Sequence, residues 1–457
     1  MTAINQLHAG AAQIDITPPL GTRINGDFVT HFATQIHDPL YAKCLILQNG
    51  HEILAWVIVD ICVMSQEFIE PVKEEIHRQT HIPIRNILLA STHTHAAGSI
   101  EEVHLSASDM AYRKRLAQLL PEVVVQARDN MRPSELSWGS VLVPEHVLCR
   151  RYHMKEDYVP FNPVTGQSDQ IKTNPFGLEK WIDRPVAEPD PELFYLAVRG
   201  LDGEWISVVG NYSLHYVGDW ENGTISADYF GVFARRLKVK LGATNDFVGI
   251  MTNGTSGDIN IWDFEGKKNY PSTFFDKSKL IGNDIADRLF LHLQDNVNWQ
   301  NDVYLGVQSR LINQDVRKPS EVEIMRAREL VERSNYEEFT YSQEGLEKVY
   351  AREQIMLSLT PTTREIPLQA FRIGDLTVGA LPGEFFAETG LKLKKSIGTS
   401  GYFTICLANG NVGYVPPKQE IELGGYETWR CRYSCLEPQA ETSIRNELIK
   451  MANAVSD

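Results

Sequence analysis

Long apolar runs are missing from this chain. None reaches the roughly 18 residues that a membrane-crossing helix needs, so a bilayer-spanning protein is not expected from these 457 residues. Positive charge is short: 44 Lys and Arg stand against 59 Asp and Glu, a formal charge of −15. That deficit argues against a nucleic-acid partner, because phosphate backbones are gripped by clustered cations. It argues equally against an anionic membrane surface. It leaves room for a small anionic substrate, because local arginines override a global field. Cysteine is sparse, at six residues (Cys44, Cys62, Cys149, Cys406, Cys431, Cys435). Most fall in or beside strand-like runs and read as reduced, partly buried thiols. The close pair Cys431 and Cys435 has no second pair to complete a zinc motif. No GxxxxGK[ST] phosphate loop, internal repeat or low-complexity tract occurs. The first residues, Met-Thr-Ala-Ile-Asn-Gln, lack the basic stretch and apolar core of a secretory signal. A cytoplasmic protein is the expectation.

What is present is an ordinary globular composition, 43% hydrophobic and 23% charged. It is enough to bury a large core in one domain spanning 1–457. Strand-like runs flank Asn49-Gly50, a strong hairpin signal. Ser65 can cap a helix to about Thr80, with Ile69, Val72 and Ile76 on one face. A short apolar run ending at Ser91 follows, then a helical stretch from Ala111 to Asn130. Asp202-Gly203 and Gly374-Asp375 mark two more hairpins. From about 144 to 191 the chain is rich in Pro, Asn, Gly and charge, and reads as a long functional loop. Residues 319–358 read as a charged, solvated helical excursion. The fold class expected is α/β: a mixed, largely parallel central sheet flanked by helices, with the site at strand carboxyl ends.

Chemistry gathers after the strands. Thr92-His93-Thr94-His95 follows the run ending at Ser91, and residues i and i+2 of an extended segment face the same side. This spacing lets either imidazole, or both, bind a metal. His215 follows Val208-Val209-Gly210, Asp258 and Asn260 follow Ile250-Met251, Glu384 follows Val378 to Leu381, and Asn409 and Tyr414 follow Ile405 to Leu407. Singly, each has a plainer reading: a polar loop filler, a hydrogen-bonded core histidine, or a carboxylate at a helix start. Together they make one rim with a metal-ligand inventory, and three protein ligands with an open position is the usual catalytic zinc arrangement.

In this order the residues resemble the neutral ceramidase family of zinc amidases, especially its soluble bacterial members. The resemblance runs through most of the chain. It is carried by Ile58-Val59-Asp60-Ile61, Ser91 to His95, Arg150-Arg151-Tyr152, Leu214-His215, Ser226-Ala227-Asp228, Gly257-Asp258, Leu381 to Glu384, and Asn409 to Tyr414. It implies one Zn2+ per chain held by His93, His215, Glu384 and Tyr414. It implies His95 beside the metal as a proton-transfer group, and Arg151 or Arg150 reaching the substrate carbonyl or a carboxylate. Asp60, Asp228 and Asp258 become expected partners behind the ligands, since ligating imidazoles donate their other N–H to an oxygen. Two departures stand out. The family's Gly-Asp-Val-Ser-Pro-Asn reads Gly257-Asp258-Ile259-Asn260-Ile261-Trp262 here, so its catalytic serine is Asn260, which can only hydrogen-bond. The family's C-terminal β-sandwich has no counterpart expected in this length.

The resulting expectation is a zinc-dependent hydrolase cleaving an amide, or less readily an ester or lactone, of a small polar substrate. That substrate bears a carboxylate or hydroxyl, and activated water attacks it. Catalytic candidates are His95, Arg151 and Asn260. Arg150, Tyr152, His153 and Lys155, with Trp181, are expected substrate contacts. Zinc-assisted isomerisation or lysis and non-catalytic ligand sensing are the alternatives. Self-association is left open.

Overall fold

A computed structural model describes residues 6–295, 297–334 and 339–455. An eight-stranded sheet forms its backbone. Its order is Val248–Asn253, Trp205–Tyr212, Glu192–Gly200, Arg132–Leu142, His8–Asp15, Tyr41–Asn49, Glu52–Val59, Ile87–Ser91. The five inner joints are antiparallel, and only the two outermost are parallel. A second sheet runs Leu305–Asp315, Thr363–Ile373, Leu376–Ala380, Gly401–Ile405, with its last joint alone parallel.

The two sheets pack face to face. Leu47, Trp56 and Leu196 from the large sheet share a core with Phe371, Val378 and Phe403 from the small one. Trp56 meets Phe371 edge-on, ring centres 5.5 Å apart. The opposite face of the large sheet carries helices Gln66–Thr80 and Met110–Asp129 over one half, and Asp228–Leu241 and Asp276–Gln294 over the other. Helices Ala387–Ser396 and Ala440–Ala454 cover the outer face of the small sheet. Ser65 caps the first helix through the Phe68 N–H, as its sequence predicts.

The central sheet is therefore mixed and mostly antiparallel, not largely parallel. The expectation errs for a physical reason. Continuous apolar runs are the usual mark of parallel strands, which helices bury on both faces. Here a second sheet does that burying. In Tyr41–Asn49, Cys44 and Ile46 face the helices while Leu45 and Leu47 face the other sheet. The hairpins at Asn49-Gly50, Asp202-Gly203 and Gly374-Asp375 supply antiparallel joints, and each glycine takes a positive φ (59°, 86° and 58°).

The segment 144–191 is not structureless. It folds a three-stranded sheet, Ile171–Thr173, Arg151–Met154, Ile182–Pro185. In the region 319–358, helix Glu321–Glu332 buries only Ala327, whereas Gln343–Ser358 buries a face including Val349, Tyr350 and Leu357. The second helix is packed rather than solvated. Among the described residues no helix is long and apolar enough to cross a membrane.

Candidate metal centre

Three parallel strand pairs build the site, one from each edge of the large sheet and one from the small sheet. In a parallel pair both strands end on the same side, so the loops that follow run together. After Glu52–Val59 and Ile87–Ser91, the His93 N–H reaches the Ile61 carbonyl (3.0 Å), and His93 Nδ1 donates to the Cys62 carbonyl (2.9 Å). After Trp205–Tyr212 and Val248–Asn253, His215 Nδ1 donates to the Ser256 carbonyl (3.1 Å). After Leu376–Ala380 and Gly401–Ile405, Glu384 and Tyr414 become partners in a short parallel ladder. The Gly257 N–H then donates to the Phe385 carbonyl (2.8 Å), joining the second and third pairs.

Both imidazoles thus have Nδ1 committed to a main-chain carbonyl, which leaves Nε2 as the lone-pair nitrogen. Those Nε2 atoms lie 3.4 Å (His93) and 3.7 Å (His215) from Glu384 Oε2. Glu384 Oε2 is buried without a hydrogen-bond partner among the described residues. A buried carboxylate oxygen left unsatisfied is costly, and two imidazole lone pairs aimed at the same point are what a divalent cation completes. The donors of His93, His215 and Glu384 lie within 4.8 Å of one another. His93 adopts a left-handed backbone, φ 75°, rare for a non-glycine residue and concentrated at functional sites. Burial disfavours a charge on His93, but the Glu384 carboxylate overrides it and holds that pKa well above the ordinary range. His215 is pushed well below it, by burial first and then by the Arg150 charge.

His95 sits beside this group. Its Nδ1 is 2.7 Å from the Gly26 carbonyl, its Nε2 3.1 Å from His93 Nε2, and its ring stacks on Tyr216 at 3.7 Å. Tyr414 is buried, and its hydroxyl accepts from Arg150 Nη2 (3.1 Å). Burial, then the nearby Glu384, raises the Tyr414 pKa well above its usual value. A cavity of about 460 Å³ opens onto all of these groups, with walls that include Phe28, Tyr216, Trp220, Tyr426 and Trp429.

Of the other expected site residues, only Arg150 reaches the cavity. Arg150 lines the cavity and pairs through Nε with Glu427 (2.7 Å). Arg151 does not; it is fully buried, with Glu427 on Nη1 (2.7 Å) and Glu420 on Nη2 (3.0 Å). Asn260 is also outside the lining: its Nδ2 donates to Asn174 Oδ1 (2.6 Å) and its Oδ1 accepts from the Trp262 N–H (3.0 Å). Tyr152 is buried against Phe264, His153 is half-buried outside the cavity, and exposed Lys155 donates to the Lys180 carbonyl. Trp181 is likewise remote from the lining.

None of the three aspartates holds an imidazole. Asp60 forms a buried pair with Lys43 (3.1 Å) and accepts from the Tyr41 N–H. Asp228 accepts from the Val217 N–H (2.7 Å) and so braces the loop beyond His215. Asp258 accepts from the Ala387 N–H (2.8 Å) at a helix start. Main-chain carbonyls fill the role expected of the aspartates. A sequence does not advertise a carbonyl, so that substitution has no signal.

No family model matches the sequence. Solved structures do match it. The crystal structure of neutral ceramidase from Pseudomonas aeruginosa superposes with a TM-score of 0.73 over 98% of this chain and 74% of that one, at 16% identity. A ceramidase complexed with C2 gives 0.72 over 99% and 75%, at 15% identity. The fold is ceramidase-like.

Several residues in or behind the cavity lie outside the sequence expectation. Tyr216 is available from its place next to His215, where a stacking partner for the site is plausible chemistry. Glu427, the shared counter-charge of Arg150 and Arg151, and the aromatic pair Tyr426 and Trp429 come from a segment far along the chain. Only tertiary folding brings that segment to the strand ends.

Proposed function

We propose that this protein is a zinc-dependent hydrolase that cleaves an amide bond in a small polar substrate. The carrying observation is the unsatisfied Glu384 Oε2 facing the Nε2 atoms of His93 and His215. Two imidazoles, a carboxylate and the Tyr414 phenol form a nitrogen and oxygen donor set suited to zinc. The fold shared with ceramidases, enzymes named for an amide-bearing lipid, supports amide chemistry.

Bound zinc would supply Lewis acidity toward the scissile carbonyl and acidify water. The chain supplies the rest. His95 keeps its Nδ1 proton on the Gly26 carbonyl, so its Nε2, 3.1 Å from His93 Nε2, is the atom that takes a proton from the attacking water. The same atom then returns that proton to the leaving amine nitrogen. Arg150 places its charge beside the Tyr414 hydroxyl, where a developing oxyanion is stabilised. With Asn260 in the serine's place, water attacks directly and no acyl-enzyme forms. The aromatic walls exclude bulk water and take the apolar part of the substrate.

The test is hydrolysis of a panel of N-acyl compounds in heavy-oxygen water, with zinc measured per chain. The reading expects one heavy oxygen in the product acid and activity that follows zinc content. Turnover by metal-free protein, or a product that has not gained water, would overturn it.

A further inference from the structure

Asn174 carries no role in the chemistry above, yet its setting is unusual. It lines the cavity and holds a left-handed backbone, φ 46°. Its N–H donates to the Arg150 carbonyl (2.8 Å), which seats it beside the cavity arginine. Its amide orientation follows from a chain of hydrogen bonds. The Trp262 N–H can only donate, so the Asn260 atom it meets at 3.0 Å is Oδ1. The other Asn260 terminus is then Nδ2, which donates to Asn174 at 2.6 Å. The Asn174 atom accepting that bond is Oδ1, so Asn174 Nδ2 is left with no protein partner among the described residues.

Lys172, two residues earlier, lines the same cavity. Among the described residues its ammonium has no ion-pair or hydrogen-bond partner. The acid nearest to hand in sequence, Asp169, is already committed: its oxygens accept from Asn162 Nδ2 (2.8 Å), Trp429 Nε1 (2.7 Å) and the Gly425 N–H (2.9 Å). Glu427 is spent on Arg150, Arg151 and Thr173. Burial lowers the Lys172 pKa, with Asp169 and Glu427 opposing. Lys172 and Asn174, whose ammonium and amide N–H have no acceptor among the described residues, therefore line the same cavity as Arg150.

We infer that Lys172 and Asn174 form a subsite for an anionic oxygen group of the substrate, a carboxylate in the simplest case, with Asn260 as the residue that positions Asn174. This deepens the hydrolase reading, and rests on this cavity being the substrate site. The residue at the family's serine position thereby acquires a role, since Asn260 fixes which end of Asn174 faces the ligand.

The test is calorimetric binding of N-acetylphenylalanine and of its uncharged carboxamide, at equal zinc content in every protein. The acid should bind at least tenfold more tightly to the unaltered chain, the worth of a charge-assisted hydrogen bond. Lys172→Met should erase that preference and Lys172→Arg keep most of it. Asn174→Ala should weaken the acid about threefold to tenfold. Asn260→Asp cannot donate to Asn174, so the Asn174 amide turns its oxygen into the cavity. That variant should lose at least as much acid affinity as Asn174→Ala. Asn260→Ala, which adds no charge, should also lower the acid affinity; a merely structural Asn260 would leave that variant's preference unmoved. Equal binding of acid and carboxamide by the unaltered protein, or an acid preference surviving both Lys172→Met and Asn260→Asp, would overturn the inference. Amide hydrolysis without acid preference sinks the subsite alone; acid preference without any hydrolysis sinks the hydrolase reading alone.

Discussion

The parallel strand pairs and the segment 144–191 meet at one cavity, but they hold their side chains by different means. At the strand ends, His93 and His215 are oriented by main-chain carbonyls of the neighbouring loop. In the segment, Arg150 and Arg151 are held by buried carboxylates, Glu420 and Glu427, from a distant stretch. The difference matters for what a mutation does. A carbonyl stays when side chains change, so the strand-end imidazoles depend on few other residues. A buried ion pair fails as soon as one partner is removed, because the other charge is stranded.

Glu384→Ala should separate the two regions most sharply. Zinc binding should be lost and turnover should fall on the order of a thousandfold or more, while the fold persists. Metal analysis beside a thermal melt checks both halves. Next come the neighbouring arginines. Arg150→Met is expected to retain zinc and lose about a hundredfold in kcat, the scale of one missing oxyanion donor. Arg151→Met strands Glu420 and leaves Glu427 to Arg150 and Thr173, and should cost about 3–5 kcal/mol of stability by denaturant titration. Equal effects of the two arginine variants on both kcat and stability would erase the distinction between them.

A smaller effect lies behind the first strand pair. Lys73 is buried, and its Nζ donates to Asn409 Oδ1 at 2.7 Å with no carboxylate paired to it among the described residues. Burial depresses its pKa from 10.5 to about 7. The unfolded chain then binds more protons than the folded one between those values, so stability should rise with pH from about 7 toward 10.5. It is lost as pH falls to about 7. Lys73→Met should flatten that slope, seen as a melting temperature less dependent on pH than the parent's. The smallest effect is expected at Lys155→Ala, within about twofold in kcat/KM, because Lys155 is exposed and away from the cavity.

Legibility from sequence divides along the same line. His93, His215, Glu384 and Tyr414 can be placed together because each follows a short apolar run, and strand ends of like direction share a rim. Those four do converge on one cavity. The sheet's strand directions are not legible in this way, because two-sided burial looks the same whether a helix or a sheet provides it. Within 144–191 the residue types alone do not say which side chains turn inward. Both arginines meet the buried Glu427, yet only Arg150, just before strand Arg151–Met154, also reaches the cavity, a split that no periodicity announces. Asn260 is expected at the substrate and instead holds Asn174, since its partners come from the Trp262 N–H and a loop 86 residues away.

The central claim is that one zinc sits between the strand ends. Diffraction from zinc-soaked crystals on both sides of the zinc absorption edge tests it directly. The account predicts a single anomalous peak at about 2.0–2.2 Å from His93 Nε2, His215 Nε2 and a Glu384 oxygen. A peak on the neighbouring Cys62, His93 and His95 donors, or no peak in a fully folded crystal, would contradict it.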